Sequence, residues 1–134
     1  HFLCAEDNEL NAEILTELLK MKGAECTICE NGQKVVETFE QSVPGAYDMI
    51  LMDVQMPVMN GYDAARAIRR SLHKQAGTIP IIAMTANAFS EDIRHSLTAG
   101  MNAHISKPVD MMLLEKTIRS IKSGGGSETQ ADKE

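Results

Sequence analysis

No stretch of this chain is apolar for long enough to cross a bilayer as a helix, which takes about 20 residues, and no secretory leader is visible. The segment is therefore expected to insert into no membrane and to lie in the cytoplasm. Positive charge is also short: 13 Lys and Arg stand against 19 Asp and Glu, giving a net charge of -6 and a pI near 5.2. A nucleic-acid surface needs basic side chains to meet phosphates, so direct nucleic-acid binding is not expected. The densest basic stretch, Arg66, Arg69, Arg70, His73 and Lys74, lies on a helical pattern and reads as a solvated face. Cysteine is scarce and odd in number, three in all, which excludes a disulfide framework and fits reduced thiols. Cys26 and Cys29 have C-x-x-C spacing, but on a strand residues three apart point to opposite faces, so no zinc or redox role is expected for them as a pair. The glycines at 124–126 are followed by no Gly-Lys-Ser/Thr, so they are no phosphate loop.

What the chain does have is alternation. Its 134 residues suffice for one domain with a single core. Short apolar runs predict strands near Phe2 to Ala5, Ala24 to Cys29, Met49 to Asp53, Pro80 to Thr85 and Ala103 to Ser106. Between and after them the period turns helical. A first helix over 9–21 carries Leu10, Ile14, Leu18 and Met21 on one face, with Asn8 as N-cap and Gly23 as stop. A second over 32–41 carries Val35, Val36 and Phe39, and a third after Asn60-Gly61 carries Ala64, Ala67, Ile68 and Leu72. A fourth covers about 88–99, closed by Gly100, and a fifth about 111–121, with Leu114, Ile118 and Ile121 inward. Five strands alternating with five helices predict an α/β fold, a doubly wound parallel sheet of order 2-1-3-4-5. The domain is expected over 1–122, with its first strand truncated because the chain opens at His1 on strand-like residues, as a piece of a longer protein would. Residues 123–134 read as a flexible polar tail or linker. Nine methionines need no cofactor, since methionine fills irregular core gaps.

That topology gives certain polar residues a common address. Parallel strands present their carboxyl ends along one edge, and there this sequence places Glu6-Asp7, Asp53, Thr85 and Lys107. Three carboxylates close together repel one another and call for a cation, while a lysine and a hydroxyl beside them call for an anion. A divalent metal with a phosphoryl group meets both demands.

Four motifs in order, Ala5-Glu6-Asp7-Asn8, the run Ile50 to Gly61, Met84-Thr85-Ala86 and Ser106-Lys107-Pro108, resemble the receiver domains of two-component response regulators, most closely those of hybrid histidine kinases. The resemblance covers the chain to about Lys122. It implies a flavodoxin-like (βα)5 fold and a signalling domain rather than an enzyme, assisting its own phosphorylation and dephosphorylation. Asp53 would be the phosphoacceptor. Glu6, Asp7, Asp53 and the main-chain carbonyl of Gln55 would hold Mg²⁺, for which Mn²⁺ would substitute. Lys107 would donate to the phosphoryl oxygens, aimed by a cis bond to Pro108, and Thr85 would supply a hydroxyl. The implied donor is a histidine kinase or a histidine phosphotransfer domain. The output would be a switched surface of the 88–99 helix, the fifth strand and the 111–121 helix, through which a homodimer is also open. The parent chain could tether the domain to a membrane-bound kinase.

The chain departs from the family pattern where a tyrosine or phenylalanine is usual, three residues before Lys107. His104 stands there as the second switch residue after Thr85, smaller and able to charge near neutral pH. Gln55 and Asn87 occupy the positions that tune phosphate lifetime, and as neutral amides they imply an acyl phosphate that is not short-lived. Pro57 and Gly61 are expected to fix the turn after Asp53, with Asn60 and Asp63 as a capping pair. Among rivals, a phosphatase working through an aspartyl phosphate would want an acid where Gln55 stands. A flavin module would want donors where Glu6 and Asp7 place negative charge. A degenerate docking domain would have lost one of the five site residues.

Overall fold

The computed structural model describes residues 1–54, 56, 58–85, 94, 97–106 and 110–122. Five parallel strands, β1 (Phe2–Ala5), β2 (Cys26–Cys29), β3 (Met49–Asp53), β4 (Ile81–Thr85) and β5 (Ala103–Ser106), form one sheet in the order β2-β1-β3-β4-β5. Among the described residues there are four helices, α1 (Glu9–Met21), α2 (Gly32–Gln41), α3 (Gly61–Arg70) and α4 (Met111–Lys122). The helix expected over 88–99 lies largely outside the described residues, although Gly100, its expected stop, has φ +97°.

Period two along the strands builds two cores. Ile50 and Met52 of β3 face α2 and α3, joining Leu3, Val35, Phe39, Ala64 and Ile68, while Met49 and Leu51 face α1 and α4, joining Leu15, Leu19 and Leu114. Every residue of β3 and β4 is buried, as expected of parallel strands covered on both faces. Each buried Leu or Ile side chain contributes about 2 kcal/mol, so the central strands are the best-anchored part of the sheet.

Two expectations for the helices fail. In α1 the buried residues are Leu15 and Leu19, whereas Leu10, Ile14 and Met21 are exposed. The sequence carries two overlapping apolar stripes, and spacing alone cannot choose between them. The choice falls to the cap: Asn8 follows β1 closely and its side chain accepts from Asn11 N at 3.0 Å, fixing the rotational phase of the helix. Leu72 lies beyond the end of α3, where Ser71 N already donates to Ile68 O, and it is fully exposed.

Candidate functional site

The acids sit where the strands run out. Ala5 is in register with Met52 and Asp53 with Met84, so Glu6 emerges beside Asp53 on adjacent strands. Their backbones stay tied to the sheet, because Glu6 N donates to Cys29 O at 2.9 Å and Val54 N donates to Met84 O at 3.0 Å. Glu6, Asp7 and Asp53 each offer a carboxylate oxygen, all within 4.8 Å of one another. Glu6 and Asp53 are 4% and 2% exposed, and Asp7 is exposed. The cluster thus runs from a covered floor to an open edge.

That arrangement fits a hard divalent ion. Ligand oxygens about 2.1 Å from Mg²⁺ stand about 3 to 4 Å apart, close to the observed spacing. Two nearly buried carboxylates beside a third need positive charge to offset their repulsion. Asn8 N donates to Glu6 Oε2 at 3.2 Å, orienting one of them.

The segment after Asp53 is held against the strand end by close approach. Gly61 N donates to Val54 O at 2.9 Å, and a Cβ added at Gly61 would stand 2.4 Å from the Asp53 carbonyl oxygen. Only glycine lets α3 begin this near the acid. Asn60 caps α3 by accepting from Asp63 N at 2.9 Å, as the capping pair predicts. Val58 has φ +69°, an unfavourable conformation for a β-branched residue. Gly32, at the start of α2, gives a second close approach: its N–H donates to Met59 O at 3.1 Å.

Thr85 ends β4 one residue beyond the partner of Asp53, 7% exposed, in register with Ser106. Lys107 follows Ser106 in sequence but, like Pro108, Gln55, Pro57 and Asn87, lies outside the described residues. A feature not anticipated from sequence is a cleft of about 510 Å³ beside the acids, lined among others by Glu9, Glu30, Lys34 and Thr38. Its walls come from segments after β1 and β2 that are distant in sequence and carry no joint motif.

His104, on β5, is half-buried, and burial pushes its pKa down. The ring therefore stands neutral at neutral pH. In the unfolded chain the imidazole takes up its proton near pH 6.5, in the folded chain only at lower pH. The stability it contributes is present above about pH 6.5 and is lost as pH falls through the folded value. Between about pH 7.5 and about pH 5.5 the urea midpoint of His104→Gln is expected to fall less than that of the parent. Equal falls would show that His104 does not titrate with folding.

Comparison with known proteins agrees with this site. The family described as response regulator receiver domain matches residues 2–119. A curated relative, hybrid signal transduction histidine kinase I of Dictyostelium discoideum, is 37% identical over 120 residues, covering 88% of this chain and 7% of its own length. Sensor protein GacS of Pseudomonas syringae is 36% identical over 117 residues, covering 87% of this chain and 13% of its own. The chain thus spans a small part of these relatives. The receiver domain of a sensor histidine kinase from Pseudomonas aeruginosa, solved with magnesium in its active-site cleft, is 34% identical with a TM-score of 0.80, over 92% of this chain and 97% of that one. A receiver domain of Saccharomyces cerevisiae, Ssk1, solved with the histidine phosphotransfer protein Ypd1, is 33% identical with a TM-score of 0.78, over 89% of this chain and 86% of that one.

Proposed function

This chain belongs to the response regulator receiver domain family of two-component systems, and on that premise we propose that Asp53 is its phosphoacceptor, receiving a phosphoryl group from a phosphohistidine in a Mg²⁺-dependent step. The single observation that carries this reading is the convergence of three carboxylate oxygens within 4.8 Å at the strand ends.

Glu6, Asp7 and Asp53 would hold the ion, joined by the main-chain carbonyl of Gln55. When bound, it supplies positive charge that offsets the repulsion between these acids and an incoming phosphoryl group. A carboxylate oxygen of Asp53 attacks phosphorus, the P–N bond of the phosphohistidine breaks, and the electron pair leaves with the imidazole. The backbone bonds on both sides of Asp53 hold the nucleophile in place, so little reorganisation is needed at the moment of transfer. Thr85, at the next strand end, is positioned to donate its hydroxyl to the transferred group, and Lys107 would donate a charged hydrogen bond to it. His104, neutral and half-buried, would follow Thr85 inward as a packing ring, shifting the population of the surface around β5 and α4.

The finer parts of this reading are that Mn²⁺ replaces Mg²⁺, that the donor is a histidine kinase or a histidine phosphotransfer domain, and that the domain works in the cytoplasm as a non-enzymatic part of a longer kinase. They draw support from the charge of the site and from the phosphotransfer protein bound by the yeast relative. A homodimer through the surface around β5 and α4 belongs to the same reading, as does a long-lived acyl phosphate governed by Gln55 and Asn87. With acetyl phosphate and Mg²⁺ the chain is expected to gain one phosphoryl group at Asp53 by mass spectrometry, and none once EDTA is added. Undiminished labelling in EDTA, or sustained turnover of small phosphate esters, would replace the receiver reading with that of a metal-independent acceptor or a phosphatase.

A further inference from the structure

Toward the amino ends of β1 and β2, away from the acids, lies a second cluster of reactive side chains. C-x-x-C spacing is not what assembles it. Cys29 joins the core under α2 and α3, its Sγ 3.6 Å from Thr38 Oγ1. Cys26 packs on the opposite face, against the core that contains Cys4. Cys4 is in register with Ile28, two residues after Cys26, so period two puts Cys4 and Cys26 side by side as diagonal neighbours. Their thiols hydrogen-bond to each other. Cys26 Sγ also lies 3.4 Å from Thr16 Oγ1 on α1, whose own hydrogen goes to Ala12 O at 2.8 Å.

The two thiols differ in the way a reacting pair requires. Cys4 is fully buried, and Cys26 is partly exposed on an edge strand. The Cys4 thiol, donating to Cys26, lowers the Cys26 pKa to about 6, so the accessible sulfur is largely thiolate at neutral pH. The same hydrogen bond, with burial, pushes Cys4 well above the ordinary thiol range, and burial raises Cys29. Oxidation selects a thiolate that solvent can reach, especially one beside a second thiol.

We propose that Cys26 and Cys4 form a peroxide-sensitive dithiol, in which a hydroperoxide oxidises Cys26 and Cys4 closes it into an intramolecular disulfide. The Cys26 thiolate attacks one peroxide oxygen, the O–O bond breaks, and the leaving oxygen takes a proton, giving Cys26 sulfenic acid and water or an alcohol. The Cys4 sulfur then attacks the sulfenic sulfur, the S–O bond breaks, and water leaves with the Cys4 proton. One peroxide is reduced by two electrons and one dithiol is oxidised by two. Diagonal neighbours ordinarily stand about 7 to 8 Å apart at Cα, just beyond the usual span of a disulfide. Closure therefore draws β2 inward, which an edge strand paired only with β1 can follow. The bridge ties that edge to the strand that leads into Glu6 and Asp7.

The test treats the full chain with graded hydrogen peroxide, blocks free thiols and maps peptides without reduction. One bridge is expected, joining the Cys4 and Cys26 peptides and reversed by dithiothreitol, with Cys29 still alkylatable. Cys26 should be oxidised on the order of tenfold faster than Cys29. Cys26→Ser should form no bridge, and Cys4→Ala should stop at a sulfenic acid that dimedone traps on Cys26. A bridge through Cys29, a bridge between two chains, or equal oxidation rates for Cys26 and Cys29 would overturn the proposal. The wild-type map decides these points even if Cys4→Ala does not fold.

Discussion

Asp53→Asn is expected to take up no measurable phosphoryl group from acetyl phosphate and Mg²⁺, a loss of at least about a thousandfold in labelling rate. The amide fills the same space but offers no anionic oxygen to attack phosphorus. Folding should survive, because the substitution removes one of three mutually repelling carboxylates within 4.8 Å. Metal-free Asp53→Asn is thus expected to melt no lower than the parent. Intact mass after labelling, with a circular dichroism melt of the same sample, reads both effects. Labelling that persists, or that moves to Asp7, would remove Asp53 from the role assigned to it.

Gly61→Ala should produce the largest loss of stability. The added Cβ would meet the Asp53 carbonyl oxygen at 2.4 Å, Val54 Cα at 2.9 Å and Met52 Cγ at 3.0 Å. Two of those atoms are backbone at the end of a fully buried strand, so the helix must move instead. Overpacking of this kind costs about 3 kcal/mol, a large share of the roughly 5 to 15 kcal/mol that holds a domain folded. A fall in Tm of about 10 °C is expected. Gly77→Ala is the control, since nothing lies within 4 Å of a Cβ there, and it should change stability by no more than about 0.5 kcal/mol. Equal melting of the two variants would mean that the approach of α3 to Asp53 is loose.

The strand order and the meeting of Glu6, Asp7 and Asp53 could be read in advance because both rest on one-dimensional signals. Alternation of period two and period 3.6 defines the elements, and the parallel topology then places every strand end on one edge. The inward face of α1 was not legible, since Leu10, Ile14 and Leu18 satisfy helical spacing as well as Leu15 and Leu19 do. Gly61 could be read as a turn residue, but the reason for it is a backbone contact that no pattern encodes. The cysteines show the same limit. Spacing singles out Cys26 with Cys29, whereas register pairs Cys26 with Cys4, 22 positions earlier.

Because β3 and β4 are covered on both faces along their whole length, their amides should be among the last to exchange with solvent. Asp53 and Thr85 terminate those strands. The reactive groups are mounted on the part of the molecule that opens only when the whole domain opens. Breathing at the periphery, in β2 or in the first turn of α4, then leaves the acceptor aligned, and its competence should vanish together with the fold instead of decaying ahead of it.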